Sequence, residues 1–444
     1  MPTCITARNT SISLISIVLS LLIKRVRRCV AGQLQFREYS RHSLPHSNYF
    51  SPMNTSRKFA SLSPPVFRAS TVVFDSLNDF VQRRARQPDG YSYGVNGTPT
   101  TRELEDRIAR LEGGNWCVVT PSGAAALSAA VLAFVKGGDH VLISAACYGS
   151  LRALAETWLK RAGIEVEYFD PAAGADIEQC FRPNTRLICL EAPGSITMEM
   201  HDTPAIASAA RRHGVLTMMD NTWASPLGFR PLDHGVDLSI EAATKYIGGH
   251  SDLLMGTISG KDATHYAQMR DMQSTLGLHV SPDDCFLALR GLETLQLRHS
   301  AQCAASLEIA QWLAGHRQVQ ELLYPPLPTD RGHALWKRDF DTAGCLFSLI
   351  LQPGPDAAYH AFFDALSVFS IGASWGGVHS LAAYYPAADQ AKRPFSRTDQ
   401  PLVRLSIGLE DKAALMTDLE RALQAYAAAQ GHTHAPAAQG AVHG

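Results

Sequence analysis

Hydrophobic and polar positions follow two different periods along this chain. Over residues 103–112, Leu104, Ile108 and Leu111 recur at i, i+4 and i+7, which predicts an amphipathic helix. Glu103–Arg107 and Asp106–Arg110 add pairs of opposite charge at i,i+4. A short apolar run, 116–120, leads through Pro-Ser-Gly into an Ala-rich helix over 124–135. Residues 140–145 read as a strand, a helix follows to Ala162, and 166–169 and 186–191 read as further strands. Thr203 or Asp202 can cap the next helix, Pro204 suits its first turn and Gly214 ends it. A strand over 215–219 closes at Asp220, and the stretch 237–240 precedes Lys245 in the same way. These strands are near-continuous apolar runs, which favours a parallel sheet covered by helices on both faces. From about residue 285 the pattern changes: a long helical stretch (285–313), a Pro-rich turn (324–328), a strand (346–351), a helix (357–366), a strand (402–407) and a last helix (412–428). That reads as a second, smaller α/β domain, and no internal repeat is visible.

Composition narrows the partners. The chain has 444 residues, room for two to three domains at ~150 residues each. Forty basic against 41 acidic residues leave a formal charge of -1, which argues against nucleic acid as a partner. Nine cysteines are scattered without a C-x-x-C pair. They read as free thiols in a reducing compartment, with no metal site and no disulfide framework. At the N-terminus, the apolar run 11–23 is too short to span a bilayer and is followed by Lys24-Arg25-Val26-Arg27-Arg28. Residues 1–53 are compatible with a transit peptide or weak anchor, or with translation upstream of a true start at Met53. The Ala-, Gly- and His-rich end, 427–444, reads as a disordered tail.

Lys245 and Asp220 change this picture most, because each stands at the end of an apolar run. Ligands of parallel sheets sit beyond the carboxyl ends of the strands. There, a lysine can attach pyridoxal phosphate (PLP), and a carboxylate can pair with the ring nitrogen and keep it protonated. Ser122-Gly123-Ala124 joins a strand to a helix, so its backbone N–H groups and the helix dipole suit a phosphate. Taken singly, each residue has an ordinary reading: Lys245 as a surface lysine, Asp220 as a cap, Arg404 as a strand residue, Tyr148 as a strand-end tyrosine, Trp375 as packing. The functional readings are a carboxylate clamp for Arg404 and a ring stacked on the coenzyme for Tyr148.

An ordered set of segments carries a resemblance. They are Pro-Pro-Val-Phe-Arg-Ala-Ser-Thr (64–71), Tyr93 with Gly-Thr-Pro-Thr (97–100), Leu-Glu-Gly-Gly (111–114), Pro-Ser-Gly-Ala-Ala-Ala (121–126) and Glu-Ala-Pro-Gly-Ser-Ile-Thr-Met-Glu (191–199). Asp-Asn-Thr-Trp-Ala (220–224), Ala-Ala-Thr-Lys-Tyr (242–246) with Gly-His-Ser-Asp (249–252), Ala-Ser-Trp-Gly-Gly (373–377) and Arg-Leu-Ser-Ile-Gly-Leu-Glu-Asp (404–411) complete it. Over residues 64–425 the chain resembles the Cys/Met-metabolism family of PLP enzymes, and within it the bacterial cystathionine β-lyases. Pro-Gly-Ser-Ile-Thr-Met-Glu and Ser-Trp-Gly-Gly carry the β-lyase resemblance. The γ-synthases and γ-lyases usually have an asparagine near Ser195 and no tryptophan at Trp375.

The resemblance implies an α/β, PLP-dependent transferase-like fold (fold type I), with a mostly parallel central sheet plus a smaller C-terminal α/β domain. Its implied divisions are an atypical extension (1–53), an arm touching a neighbouring subunit (54–97), a PLP-binding domain (98–288), a C-terminal domain (289–428) and a tail (429–444). It implies that Lys245 holds PLP and shuttles protons, that Asp220 pairs with its ring nitrogen and that Tyr148 stacks on the ring. Gly123, Ala124 and Thr244 would hold the phosphate. Arg404, Ser374 and Trp375 would bind substrate, and Tyr93 would reach the phosphate of a neighbour's cofactor. It further implies β-elimination of L-cystathionine in methionine biosynthesis by a cytoplasmic homotetramer. The alternatives are γ-elimination or γ-synthesis on the same core, or a PLP-holding protein with decayed catalysis. Two departures stand out. Val95 occupies the place of an arginine that grips the phosphate across the dimer, which predicts weaker PLP retention. The segment that usually packs on the neighbour is not recognisable before residue 64.

Overall fold

A computed structural model describes residues 61–431. The expected N-terminal extension, the start of the arm and the tail beyond 431 lie outside the described residues. Of the described residues, those from 64 to 431 belong to one compact unit.

Seven strands build the central sheet: β1 (Trp116–Thr120), β2 (His140–Ser144), β3 (Glu165–Phe169), β4 (Thr185–Glu191), β5 (Leu216–Asp220), β6 (Leu238–Glu241) and β7 (Gly256–Gly260). Their order is β1-β7-β6-β5-β4-β2-β3. All pairings from β6 to β3 are parallel, and β7 runs antiparallel to both of its neighbours. Because side chains alternate across a strand, neighbouring residues feed different cores. Ile143, Leu187 and Met218 pack on one face with Ala126 and Val131 of the helix Gly123–Phe134. Leu142, Ile188 and Met219 pack on the other with Ile206 and Ala210 of the helix Thr203–Arg212. Both faces are therefore apolar, as the continuous runs predicted. Removing one such Leu, Ile or Met side chain costs about 2–5 kcal/mol.

The second sheet holds β8 (Val319–Leu323), β9 (Leu346–Leu351), β10 (Ser370–Ile371), β11 (Leu381–Tyr385) and β12 (Leu402–Ser406), ordered β10-β11-β12-β9-β8. It is antiparallel except between β10 and β11. The helices Asp356–Ala365 and Lys412–Gly431 pack against each other beside it.

Several boundaries moved for identifiable reasons. The first amphipathic helix begins at Pro99, because Thr98 and Thr101 form a reciprocal capping box. Its Glu103–Arg107 pair forms at 2.7 Å, whereas Asp106–Arg110 is not among the ion pairs of the described residues. The helix that reads to Ala162 contains a π turn over Ala155–Leu159. Asp202, not Thr203, caps the next helix by accepting from the Ala205 N–H at 3.2 Å. The long stretch 285–313 is two helices, Pro282–Leu292 and Leu295–Ala314. Near the break, the Arg298 guanidinium donates to the carbonyls of Gly291 and Tyr246, each at 2.8 Å. Strand β7, Gly-Thr-Ile-Ser-Gly, escaped the apolar-run criterion because its glycines imitate turn signals. A Cβ at Gly260 would fall 2.4 Å from the Trp116 ring, so that glycine serves close packing.

Candidate active site

Three adjacent strands end in carboxylates. Glu191 closes β4, Asp220 closes β5 and Glu241 closes β6. Glu191 and Asp220 are register partners, as are Asp220 and Ile240. The chain leaving β6 turns at once, with the Ala242 N–H donating to Thr222 Oγ1 at 2.8 Å and the Lys245 N–H to the Ala242 carbonyl at 2.9 Å. This turn brings Lys245 over the end of β5.

A cavity of about 170 Å³ lies at this edge. Of the residues expected from the sequence, Gly123, Ala124, Tyr148, Asp220, Thr244, Lys245 and Trp375 line it together. Lys245 Nζ donates to Ser374 Oγ at 3.1 Å and lies 5.5 Å from the Trp375 ring centroid. Trp375 packs edge-on against Tyr246, at 5.6 Å and 75°. Gly376 lets this loop approach: its φ is 78°, and a Cβ there would sit 3.1 Å from Lys245 Cβ. Arg404, on β12, is buried and donates to the Ala373 carbonyl at 2.5 Å, beside Ser374. Its guanidinium lies 5.1 Å from the Tyr385 ring centroid. Tyr148 remains 45% exposed. Tyr93 is not brought to this cavity: it is 55% exposed and lines a separate groove with Arg83, Arg84 and Val95.

Charge at the site follows from burial. Burial lowers the Lys245 pKa, the Arg404 guanidinium lowers it further, and Asp220 opposes both. Burial raises the Asp220 carboxyl, against hydrogen bonds from Thr222. Burial, and then the neighbouring Asp220, push Glu191 well above the usual carboxylate range. Glu241 is raised well above that range by burial first, then by Glu112 and Asp220.

The residues present suit PLP. Asp220 Oδ1 accepts from the Thr222 N–H at 3.1 Å and from its hydroxyl at 2.5 Å. The second carboxylate oxygen has no hydrogen-bond partner among the described residues, leaving it for a ring N–H⁺. At the start of the helix Gly123–Phe134, Ser122 Oγ accepts from the Ala125 N–H at 3.1 Å. The N–H groups of Gly123 and Ala124 have no partner among the described residues, which suits a phosphate at a helix N-terminus. A Cβ on Gly123 would come within 2.7 Å of Ala242 Cβ, so only glycine allows this approach. Thr244 is less free: its hydroxyl donates to the Met255 carbonyl at 3.1 Å and accepts from the Met255 N–H at 2.9 Å.

Two features of the cavity wall went unassigned in the sequence. Glu191 lines the cavity and accepts the Tyr148 backbone N–H at 2.5 Å. An acid closing the strand beside Asp220 was the available signal. The turn after it, Gly194–Met198, is strained, with Ile196 at φ 79° and Met198 at φ 58°. Such conformations cost on the order of 1–3 kcal/mol each and cluster at functional sites. Nothing in the local sequence announces them.

Residues 50–424 match the family described as "Cys/Met metabolism PLP-dependent enzyme". The chain is 41% identical to the cystathionine beta-lyase of Escherichia coli (strain K12), over 80% of this chain and 91% of that protein. It is 40% identical to the cystathionine beta-lyase of Bordetella avium, over 84% of this chain and 94% of that protein. Among solved structures, it is similar to cystathionine gamma synthase from Xanthomonas oryzae pv. oryzae in complex with cystathionine. The TM-score is 0.77 and the identity 33%, covering 83% of this chain and 94% of that one.

Proposed function

The chain belongs to the Cys/Met metabolism PLP-dependent enzyme family, and we propose that within it this enzyme is a carbon–sulfur β-lyase. It cleaves L-cystathionine, with water, to homocysteine, pyruvate and ammonia, a step of methionine biosynthesis. The observation that carries this reading is the convergence of Lys245, Asp220 and Trp375 on one cavity, with Ser374 bridging towards Arg404.

When bound, PLP supplies an electron sink for negative charge at the substrate Cα. Gly123 and Ala124 would hold its phosphate, Asp220 its ring nitrogen and Tyr148 its face. Thr244, its hydroxyl tied to the Met255 backbone, would stand with Gly123 and Ala124 at the phosphate. Arg404, assisted by Ser374, grips the substrate α-carboxylate; a rigid fork suits that planar anion. Lys245 Nζ takes the proton from Cα. The depressed pKa of this amine favours the neutral form that a base requires. Lys245, with the Tyr148 hydroxyl, then delivers a proton to the sulfur leaving Cβ. Trp375, whose ring centroid lies 5.5 Å from Lys245 Nζ, would line the place of the substrate beside that amine.

Among the described residues no helix is long and apolar enough to cross a membrane, and the seven described cysteines are free thiols. We assign the enzyme to the cytoplasm as a homotetramer, a dimer of dimers. The exposed arm supports this assembly: Tyr93 is exposed and lines a groove separate from its own cavity, which leaves it free to reach a neighbour's phosphate. We assign 54–97 as that arm, 98–288 as the PLP-binding domain and 289–428 as the C-terminal domain. Strands β1–β7 and β8–β12 fall inside the last two ranges.

Incubating purified holoenzyme with L-cystathionine tests the reading. Pyruvate with homocysteine is expected. Fold similarity to a cystathionine gamma synthase favours the γ alternative, and 2-oxobutyrate would establish it in place of β-cleavage. Absence of any keto acid would overturn both.

A further inference from the structure

We propose that Arg393 is a positioning residue: it ties together the two walls of the active-site cavity and holds the strained turn Gly194–Met198 in its working shape. One wall is the segment Cys147–Tyr148, the other that turn, whose Ser195 and Met198 line the cavity with Tyr148.

A β-branched residue at positive φ, as at Ile196, is a true outlier, and it persists only where its surroundings over-determine it. Here three carbonyls of the turn accept from side chains of the second-sheet region. Arg393 Nη1 donates to Ser195 O at 2.7 Å, Ser348 Oγ to Ile196 O at 2.6 Å and Arg397 Nη1 to Met198 O at 3.4 Å. Arg397 is also a structural residue, paired with Asp330 at 3.2 Å and Glu321 at 3.5 Å. Arg393 has no ion-pair partner among the described residues. Its guanidinium instead spans the cavity walls, with Nη2 donating to Cys147 O at 3.4 Å while Nη1 holds Ser195. The walls already share one backbone bond, Ser195 N–H to Ala146 O at 2.9 Å. The guanidinium adds the second and third points of a fixed geometry, and a planar fork does this better than an ammonium. Lys245, Ser374 and Arg404 hang on a different loop and strand. Loss of Arg393 therefore loosens what is bound more than it slows removal of the Cα proton by Lys245.

Arg393→Met keeps the apolar stem and removes the donors. Hydrogen-exchange mass spectrometry on the holoenzyme and on the coenzyme-free protein is expected to show residues 193–199 exchanging roughly tenfold faster, about the loss of one charge-assisted hydrogen bond. KM for L-cystathionine is expected to rise roughly tenfold while kcat stays within about threefold. Arg393→Lys, able to reach one carbonyl, should restore part of both. Lys392→Met, at an exposed neighbour paired only with Asp389 among the described residues, should alter neither. Unchanged exchange at 193–199 in Arg393→Met would overturn the inference, as would a loss confined to kcat or an equal effect from Lys392→Met. The kinetic arm rests on the lyase reading. The exchange arm needs no substrate, so a protein inactive on cystathionine still decides the question.

Discussion

The strand-end cluster and the N-terminal arm of the described chain are built on opposite terms. Around Asp220 and Lys245 the polar groups find partners inside the chain: Thr222 for Asp220, Ser374 for Lys245, Ala373 for Arg404. The arm is held at few points, among them Phe67 N–H to Thr100 Oγ1 at 2.8 Å and the Arg68–Asp283 ion pair. Its helix Leu77–Val81 buries none of its residues, and Leu77, Phe80 and Val81 stay exposed with Val73 and Tyr93. So many exposed large apolar side chains on one short segment suit an interface. The charged side chains of one region are partnered within a single chain, whereas the other leaves apolar side chains exposed, which suits the assembly proposed above. On the proposed assembly, the relative loss from a change at the first should be the same at any protein concentration, and a change at the second should act only where subunits associate.

The largest expected effect falls on the first region. Lys245→Ala should reduce pyruvate release by about 10³-fold, within the range for losing a general base, and should abolish covalent retention of PLP. Turnover within about tenfold of the unsubstituted enzyme would remove the lysine from the chemistry. The next effect separates stability from activity. Glu112 is fully buried, neither of its carboxylate oxygens has a hydrogen-bond partner among the described residues, and burial pushes its pKa up to about 8. In the unfolded chain a glutamate titrates near its ordinary value of 4.5. Between those two pH values the folded chain keeps a proton that the unfolded chain gives up, so this residue destabilises the fold increasingly as pH rises. Glu112→Gln should remove this residue's share of that dependence and relieve Glu241, whose carboxyl Glu112 helps to raise, stabilising the protein more at pH 8 than at pH 5. Urea midpoints at the two pH values measure it, and a gain independent of pH would refute the assignment. Third, Asp220→Ala should weaken PLP binding by about 10- to 100-fold, the worth of a hydrogen bond to a charged group. Equilibrium dialysis reads this directly, and the loss should not depend on enzyme concentration.

The first region was also the legible one. Apolar runs ending in Asp220 and Lys245 announced a parallel sheet with chemistry at its edge, because both signals are local: a run of buried side chains and the residue that closes it. Strand β7 was hidden by glycines that serve packing against Trp116 and Ser122. Glu191 was quoted only as part of a motif, since its role depends on Tyr148, 43 residues away in sequence. The clamp on Gly194–Met198 was invisible, because Arg393 stands 198 residues from Ser195 and backbone strain leaves no compositional trace. Tyr93 shows a different limit. Its position in the chain is readable, but the partner proposed for it lies on a second copy, which one folded chain does not supply.

The smallest expected effect is a gain, and it sharpens the contrast between the regions. Val95 lines the groove beside Tyr93 together with Arg83 and Arg84. If this groove meets a neighbour's phosphate, Val95→Arg should add a charge-assisted hydrogen bond, worth up to about 1.5–3 kcal/mol in isolation. Arg83 and Arg84 already bring positive charge to the same groove, and a third guanidinium is repelled by them, so the gain should fall at or below the lower limit. PLP affinity is expected to improve about threefold to tenfold in the assembled enzyme. At dilutions that dissociate the subunits the gain should vanish, because the new arginine would face solvent while its own chain's cavity lies elsewhere. An improvement that persists in the monomer would place the arm at its own active site and erase the difference between the two regions. An unchanged affinity in the oligomer would mean that this groove does not meet the phosphate at all.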